Sequence, residues 1–470
     1  MKIIKKLLLC ILYITTFLLI YNIIKLNILN NLYLSIITVL VIIINIILSL
    51  LLLIKNKIIS IIMILLSLLL ILGNVTGTIY INSTKKYLQT ITNNKDKLYE
   101  KTYQVVVLKD NYKKIDELNN KKIGLLNIDS YKEDNTKELN KKITMDIKEY
   151  DDISSLYLSL HNKEIEALSI DKSYLETLKE ENFKLLDNTK VIYSYKIKVK
   201  EEKSTKQVDT PKTNEPFIIY ISGSDSRSTV KAVARSDVNI IMTVNPKNHK
   251  ILLVSIPRDY YVQLSGTTGI KDKLTHAGVY GINKSITTIE DLLDIKIDEY
   301  VKVSFATVIK SVDLLDGIDI YSDQSFTPWT NRTCRFYEGV QHVDGTCALA
   351  FARERKSYTE GDRHRGENQE QVLSKIIEKM TNPKYLVRYN DILKQTESSF
   401  ETSISYDMIT ELVKEELTTL SSWNIETYNL NGEGAMLPTY SMGSMNLWVM
   451  IPDETTIETA KTKINEYLNS

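Results

Sequence analysis

The segment PFIIYISGSDSRSTVKAVARSDVNIIMTVNPKNHKILLVSIPRDYYV, residues 216–262, governs how the rest of the chain is read. It holds three short apolar runs, Phe217–Ile221, Val238–Val244 and Ile251–Ile256, each bounded by polar residues. Runs of about four to eight β-branched and aromatic residues between Gly, Pro and Asp are strand signals. Helical patterns follow at 281–294, 306–315 and 365–380, so this part reads as an α/β domain. The first run ends in Ile221-Ser222-Gly223-Ser224-Asp225-Ser226-Arg227, which presents Asp225 after a glycine turn at the C-terminal edge of a sheet. That edge is where open α/β sheets place their ligand sites. Arg235-Ser236-Asp237 opens the second strand, and Pro257-Arg258-Asp259 closes the third.

Every arginine lies between Arg227 and Arg388, whereas lysines are spread along the whole chain. In a sequence so rich in Lys, Asn and Ile, confined arginine marks positions that lysine does not serve. A guanidinium is a planar fork of donors that grips phosphate or carboxylate at two points. Arg353-Glu354-Arg355 follows the apolar run Ala348–Ala352; read as extended, its spacing would point both guanidinia to one face. Gly361-Asp362-Arg363-His364-Arg365-Gly366-Glu367-Asn368-Gln369 then leads into a helix, where Arg365 and Gln369 share a face. Asp225 and Asp237 are carboxylates of the kind that hold Mg²⁺, which takes one or two of them together with phosphate oxygens. Ordinary salt bridges would account for any one of these residues; the set points to a site for a multiply charged anion.

Working outward, residues 397–470 carry helical stretches at Tyr406–Leu420 and Thr455–Leu468 and read as a C-terminal lobe or an extension. Upstream, 200–215 is a polar linker. Residues 103–199 alternate short strand runs with helical stretches at Asp151–Leu160 and Ser173–Glu181, a small accessory α/β domain with no arginine and no visible chemistry. Residues 81–102 form a polar juxtamembrane segment. Residues 1–80 contain no Asp or Glu and three apolar runs near 7–24, 32–54 and 58–80, each long enough to span a bilayer. We read them as a membrane anchor of three transmembrane helices, with Leu7-Leu8-Leu9-Cys10 inside the first. Lys2, Lys5 and Lys6 before the first span, and Lys55 and Lys57 between the second and third, place the N-terminus in the cytoplasm and everything after residue 81 outside.

The averages conceal this layout. The 470 residues carry a formal charge of +1, and 43% are hydrophobic. That composition excludes a largely disordered chain, and with 16 Gly, 8 Pro and 3 Cys it excludes collagen-like and disulfide-scaffold classes. The charge balance argues against a nucleic-acid binder. The five histidines are scattered, which argues against a zinc site.

The stretch from Phe217 to about Met380 resembles the catalytic domain of the LytR–CpsA–Psr (LCP) family of bacterial cell-wall enzymes. The matching blocks are ISGSDSR (221–227), RSDVNIIMTVNP (235–246), ILLVSIPRDYYV (251–262), DKLTHAGVYG (272–281), IDEYVKVSF (297–305), LLDGIDI (314–320) and VDGTCALAFARERKSYTEGDRHRGENQEQVL (343–373). Three spans, an accessory domain and this domain in order resemble the streptococcal capsule-type (CpsA-like) members. The resemblance implies a larger α/β catalytic domain at 216–396, with a central mixed sheet flanked by helices. It implies a transferase that moves a glycopolymer, such as wall teichoic acid or capsular polysaccharide, from an undecaprenyl-pyrophosphate carrier to peptidoglycan through a phosphodiester bond. The setting would be the cell membrane of a Gram-positive-type bacterium, with pyrophosphatase activity as a further capacity. Carried onto matching positions, Asp225 and Asp237 would bind Mg²⁺ or Mn²⁺. Arg235, Arg258, Arg353, Arg355, Arg365 and Gln369 would hold the phosphates. Asp362 would orient arginines or serve as the base.

Two features depart from the family pattern. Asn368 stands where many members carry another arginine, and Cys334 and Cys347 flank a hairpin-like stretch, Tyr337–Gly345. Outside the cell these cysteines are expected to form a disulfide; the alternative is two buried thiols. Two rival functions stand beside transfer: a lipid-pyrophosphate hydrolase with the same site, and a non-enzymatic membrane regulator. The short cytoplasmic part leaves no room for a DNA-reading domain.

Overall fold

The computed structural model describes residues 2–54, 56–92, 98–180, 183–200, 213–224, 235–359, 361–396, 399–419 and 422–470. They form two compact units, one around the first 93 residues and one holding most of the remainder.

The first unit contains α1 (Lys2–Leu26), α2 (Asn31–Leu53) and α3 (Lys57–Thr92), all long and apolar enough to cross a membrane. Asn30 caps α2 by accepting the Tyr33 N–H, the usual role of a short polar side chain ahead of a helix. The expected third span continues without a break to Thr92, so most of the polar juxtamembrane segment is helical. Several polar side chains of the anchor pair with one another inside it. Asn74 Nδ2 donates to Thr16 Oγ1 at 2.9 Å, Thr16 reaches Asn45 at 3.4 Å, and Lys5 Nζ donates to Ser60 Oγ at 2.7 Å.

The accessory region builds a five-stranded sheet from β1 (Leu98–Leu108), β2 (Lys121–Leu126), β3 (Met145–Tyr150), β4 (Ala167–Asp171) and β5 (Thr189–Lys200), in the order β3-β2-β4-β1-β5. Its helices are α4 (Lys132–Asn140), α5 (Ile153–His161) and α6 (Lys172–Glu180). Helix α4 has no apolar periodicity and was invisible in the sequence. Strand β1 starts at Leu98, inside the expected juxtamembrane segment. This region is not a bead on a string, because its core cluster (Leu156, Ile170, Leu178) includes Val279, Met442 and Leu447 from far downstream.

The larger region begins with β6 (Phe217–Ser224), β7 (Val238–Asn245) and β8 (Lys250–Ser255), the three runs of the opening segment. The small strands β9 (Tyr261–Val262) and β10 (Asp272–Lys273) pair with each other ahead of α7 (Leu274–Ala277) and α8 (Ile282–Leu293). Next come β11 (Glu299–Ser304), α9 (Phe305–Leu314), β12 (Ile318–Ser322), β13 (Gly339–Val343), α10 (Gly345–Ala352) and α11 (Asp362–Met380). The remaining elements are α12 (Tyr389–Thr396), β14 (Phe400–Thr402), α13 (Tyr406–Thr419), β15 (Asn424–Asn429), β16 (Gly432–Thr439), β17 (Gly443–Pro452) and α14 (Glu454–Asn469). The central sheet runs β14-β11-β6-β7-β8-β15 and is mixed: β6 is parallel to β11, and β7 is antiparallel to both neighbours. On one face Ile218, Tyr220, Leu252 and Val254 pack with Ile289 and Leu293 of α8 and with Ile457 and Ile464 of α14.

Three details differ from expectation. The segment after 396 supplies both edge strands of the central sheet, β14 and β15, while α12 and α13 pack against α3 in the first unit. The stretch around Tyr337–Gly345 is not a hairpin; β13 pairs antiparallel with β12. Arg353 is not extended: it caps α10 at φ −103°, ψ −7°, so the alternating-face argument for Arg353 and Arg355 does not apply.

Candidate active site

Strand direction brings the site together. Because β7 runs antiparallel to β6, its start lies beside the end of β6; the Asp237 N–H donates to the Gly223 carbonyl at 2.8 Å. Gly223 is required there, since a Cβ would come within 2.7 Å of the Val238 side chain. β8 is antiparallel to β7 and delivers Ser255 to the same edge, opposite Ile240. Pro257 then ends the strand, having no N–H for the ladder, and Arg258 turns in. From the far side α11 approaches closely enough that a Cβ on Gly366 would meet Ser255 Oγ and Asn429 Oδ1 at 2.9 Å.

The result is a cleft of about 350 Å³ lined by Asp237, Arg258, Phe305, Arg353, Arg355, Arg365 and Gln369, among others. Arg258 Nη1 donates to Asp237 Oδ1 at 2.7 Å. Arg235 and Arg365 are both buried. Burial would raise the Asp237 carboxyl, but Arg258, Arg235 and Arg365 beside it hold it below the usual range, so it is ionised. Arg258 is oriented from behind by Asp259, 3.4 Å from its Nε; Asp259 is in turn 3.2 Å from Lys273 Nζ. Arg353 lies over the Phe305 ring, 4.4 Å from its centroid. This rigid stack directs a guanidinium that a flexible lysine would not reproduce.

The loop after α10 is shaped by one buried carboxylate. Glu354 Oε1 accepts the N–H groups of Arg355, Lys356 and Ser357, and Oε2 accepts that of Trp329 at 2.7 Å. The sequence displayed Glu354 only as a spacer between two arginines. Asp259 stood beside Arg258 and Phe305 ended a quoted block, but their spacing gave no sign that they meet. Of the residues expected at the site, the structure gathers Asp237, Arg235, Arg258, Arg353, Arg355, Arg365 and Gln369. Asp225 lies outside the described residues, as does the side chain of Asp362. Cys334 and Cys347 form a disulfide, with Cα atoms 5.6 Å apart, within the apolar cluster around α10.

Among the described residues no three His, Cys, Asp or Glu side chains cluster as a metal cage. What the cleft offers is one ionised carboxylate among arginines. That fits a divalent cation held largely by phosphate oxygens.

Residues 182–466 match the model of the LytR_cpsA_psr family. The chain belongs to that family. Among its curated relatives is the polyisoprenyl-teichoic acid–peptidoglycan teichoic acid transferase TagU of Bacillus mycoides (strain KBAB4). It is 33% identical over 239 residues, covering 50% of this chain and 76% of the relative. The transferase TagV of Bacillus subtilis (strain 168) is 31% identical over 264 residues, covering 54% of this chain and 65% of the relative. The crystal structure of B. subtilis TagV aligns at 31% identity and a TM-score of 0.47, covering 55% of this chain and 98% of that one. Within this LytR_cpsA_psr member, Asn368 is buried. Its Nδ2 donates to the Phe351 carbonyl at 3.2 Å, so it ties α11 to α10.

Proposed function

We propose that the chain transfers a glycopolymer from a polyprenyl-pyrophosphate carrier to peptidoglycan, as the names of its relatives state for those proteins. The observation that carries this is the cleft: buried or part-buried Arg235, Arg258 and Arg365 around ionised Asp237, with Arg353 and Arg355 along one wall. Such a wall suits pyrophosphate, and phosphoryl transfer consists mostly of positioning and of stabilising charge on phosphate oxygens. An acceptor hydroxyl would attack the phosphorus of the sugar-bearing phosphate. The new P–O bond forms as the bridging P–O bond breaks and lipid phosphate leaves. The arginines neutralise the oxygens on both sides. Asp237, with Asp225, would hold Mg²⁺ or Mn²⁺, which supplies further charge neutralisation when bound. Asp362 is the candidate base or arginine-orienting residue. The three apolar helices would hold this site at the outer face of the cell membrane, the side that lysine placement favours and where a lipid carrier would present its head group.

The test is Arg258→Ala and Arg353→Ala in the full-length protein, assayed for transfer from lipid-linked donor to peptidoglycan oligomers. Each change is expected to cost ~10²–10³ in rate. Unchanged transfer and unchanged binding of pyrophosphate lipid would sink the assignment. Release of free phosphate-capped polymer without ligation would favour the hydrolase reading.

A further inference from the structure

We propose that Arg332 and Lys356, held on the indole of Trp329, form a second anion subsite at the mouth of the cleft. It would take a phosphate or carboxylate group on the donor or acceptor saccharide that lies next to the pyrophosphate, and so rests on the transfer reading above. Arg332 Cζ and Lys356 Nζ each lie 4.5 Å from the centre of the Trp329 ring. That is well inside the range of cation–π attraction. The ring is 57% exposed, and both Trp329 and Lys356 belong to the cleft lining. Among the described residues neither cation forms an ion pair with a carboxylate, so both charges are available to a ligand.

Exposed cations on an aromatic ring are common, and alone they would mean little. Here three constraints fix them. Glu354 is only 1% exposed, and it receives the N–H of Trp329 on one oxygen and that of Lys356 on the other, both at 2.7 Å. Phe326 and Phe336 exchange backbone hydrogen bonds and stack at 4.9 Å, closing the base of the loop that carries Trp329 and Arg332. The Cys334–Cys347 bond ties the same loop to α10, the helix that ends at Arg353. A site whose cations are held before binding loses less side-chain freedom on binding.

Charge balance points the same way. The lining contains Arg258, Arg353, Arg355, Lys356 and Arg365 against the carboxylates Asp237 and Glu354, and Glu354 is turned to backbone N–H groups. With Arg332 beyond the rim, the cleft carries more positive charge than a pyrophosphate diester needs. A cleft lined by one sign of charge focuses its field on further anions.

The experiment uses the full-length protein in detergent, with Arg332→Ala/Lys356→Ala as the variant and five probes. These are inorganic pyrophosphate, lipid-linked donors with a phosphate-bearing or an uncharged saccharide, and peptidoglycan acceptors with free or amidated carboxylates. The expected result is a rise in KM of about tenfold for the charged donor or the charged acceptor. Which of the two responds names the source of the anion. Affinity for inorganic pyrophosphate and KM for the uncharged counterpart should stay within about twofold. Arg332→Lys should stay near the wild-type KM, and Trp329→Ala should reproduce the loss where Trp329→Phe does not. Equal KM values on charged and uncharged probes, with pyrophosphate still bound, overturn the proposal. If the wild-type protein fails to bind pyrophosphate at all, the transfer reading falls first and takes this subsite with it.

Discussion

The accessory region and the catalytic region each contain a basic–Asp pair, and the two pairs differ in how far they are closed off. Lys101 and Asp171 meet at 3.0 Å with side chains 2% and 3% exposed. Arg258 and Asp237 meet at 2.7 Å with side chains 17% and 12% exposed, opening on the cleft. The first pair is sealed: Lys101 also donates to the Val279 carbonyl and lies over the Tyr131 ring. No ligand reaches it, so it serves to join the accessory sheet to the rest of the unit. The second pair keeps contact with solvent and has further arginines beside it, so its charge can be exchanged for that of a substrate. Burial of an ion pair does not by itself mark a site; an open side does.

The largest expected effect tests that contrast through stability. Lys101→Met strands Asp171 in an apolar interior and should cost ~3–5 kcal/mol, read as a large drop in Tm. Arg258→Met leaves Asp237 facing the cleft with Arg235 and Arg365 near it, and should lower Tm far less. Equal losses would erase the distinction. A smaller effect concerns a third carboxyl, Glu370, which accepts from the Ser255 N–H and the Asn429 amide, with the Tyr428 backbone and the Glu367 carboxylate also near it. Burial pushes it well above the usual carboxylate range, beyond what those hydrogen bonds offset. Its contribution to stability is therefore complete below the ordinary glutamate pKa and is lost as pH rises toward the raised folded value. The slope should be at most ~1.4 kcal/mol per pH unit. Thermal melts between weakly acidic and neutral pH should show that slope, and Glu370→Gln should flatten it; an unchanged slope in the variant counts against the assignment. The smallest effect is Arg353→Lys, which keeps the charge but loses the planar stack on Phe305 and the two-point grip. Transfer should fall by about tenfold. A lysine variant as active as wild type would mean that charge alone suffices at the cleft wall.

Much of the framework was legible because its signals are local. A run without charges longer than a bilayer core is wide reads as a span whatever surrounds it. The three strands of 216–262 were bounded by their own punctuation. Confinement of arginine pointed to the region whose cleft holds Arg258, Arg353, Arg355 and Arg365. Contacts between distant residues were not legible. Glu354, Trp329 and Phe305 belong to separate segments, and only folding sets one beneath the others. The edge strands β14 and β15 were hidden because a short edge strand has little apolar periodicity. The extended reading of Arg353 failed because α10 runs to Ala352 and uses Arg353 as its cap.

The sequence by itself determined the solvent of each region and pointed to an anionic ligand. Helices that face lipid need an apolar outer surface, and a guanidinium suits phosphate. Tertiary structure alone decided which arginines share a cleft, which ion pair is sealed, and that the accessory sheet shares its core with residues near 279 and 442–447. Those outcomes depend on strand direction and on packing between distant segments. An antiparallel β7 puts Asp237 beside the end of β6, whereas a parallel one would have carried it to the opposite edge.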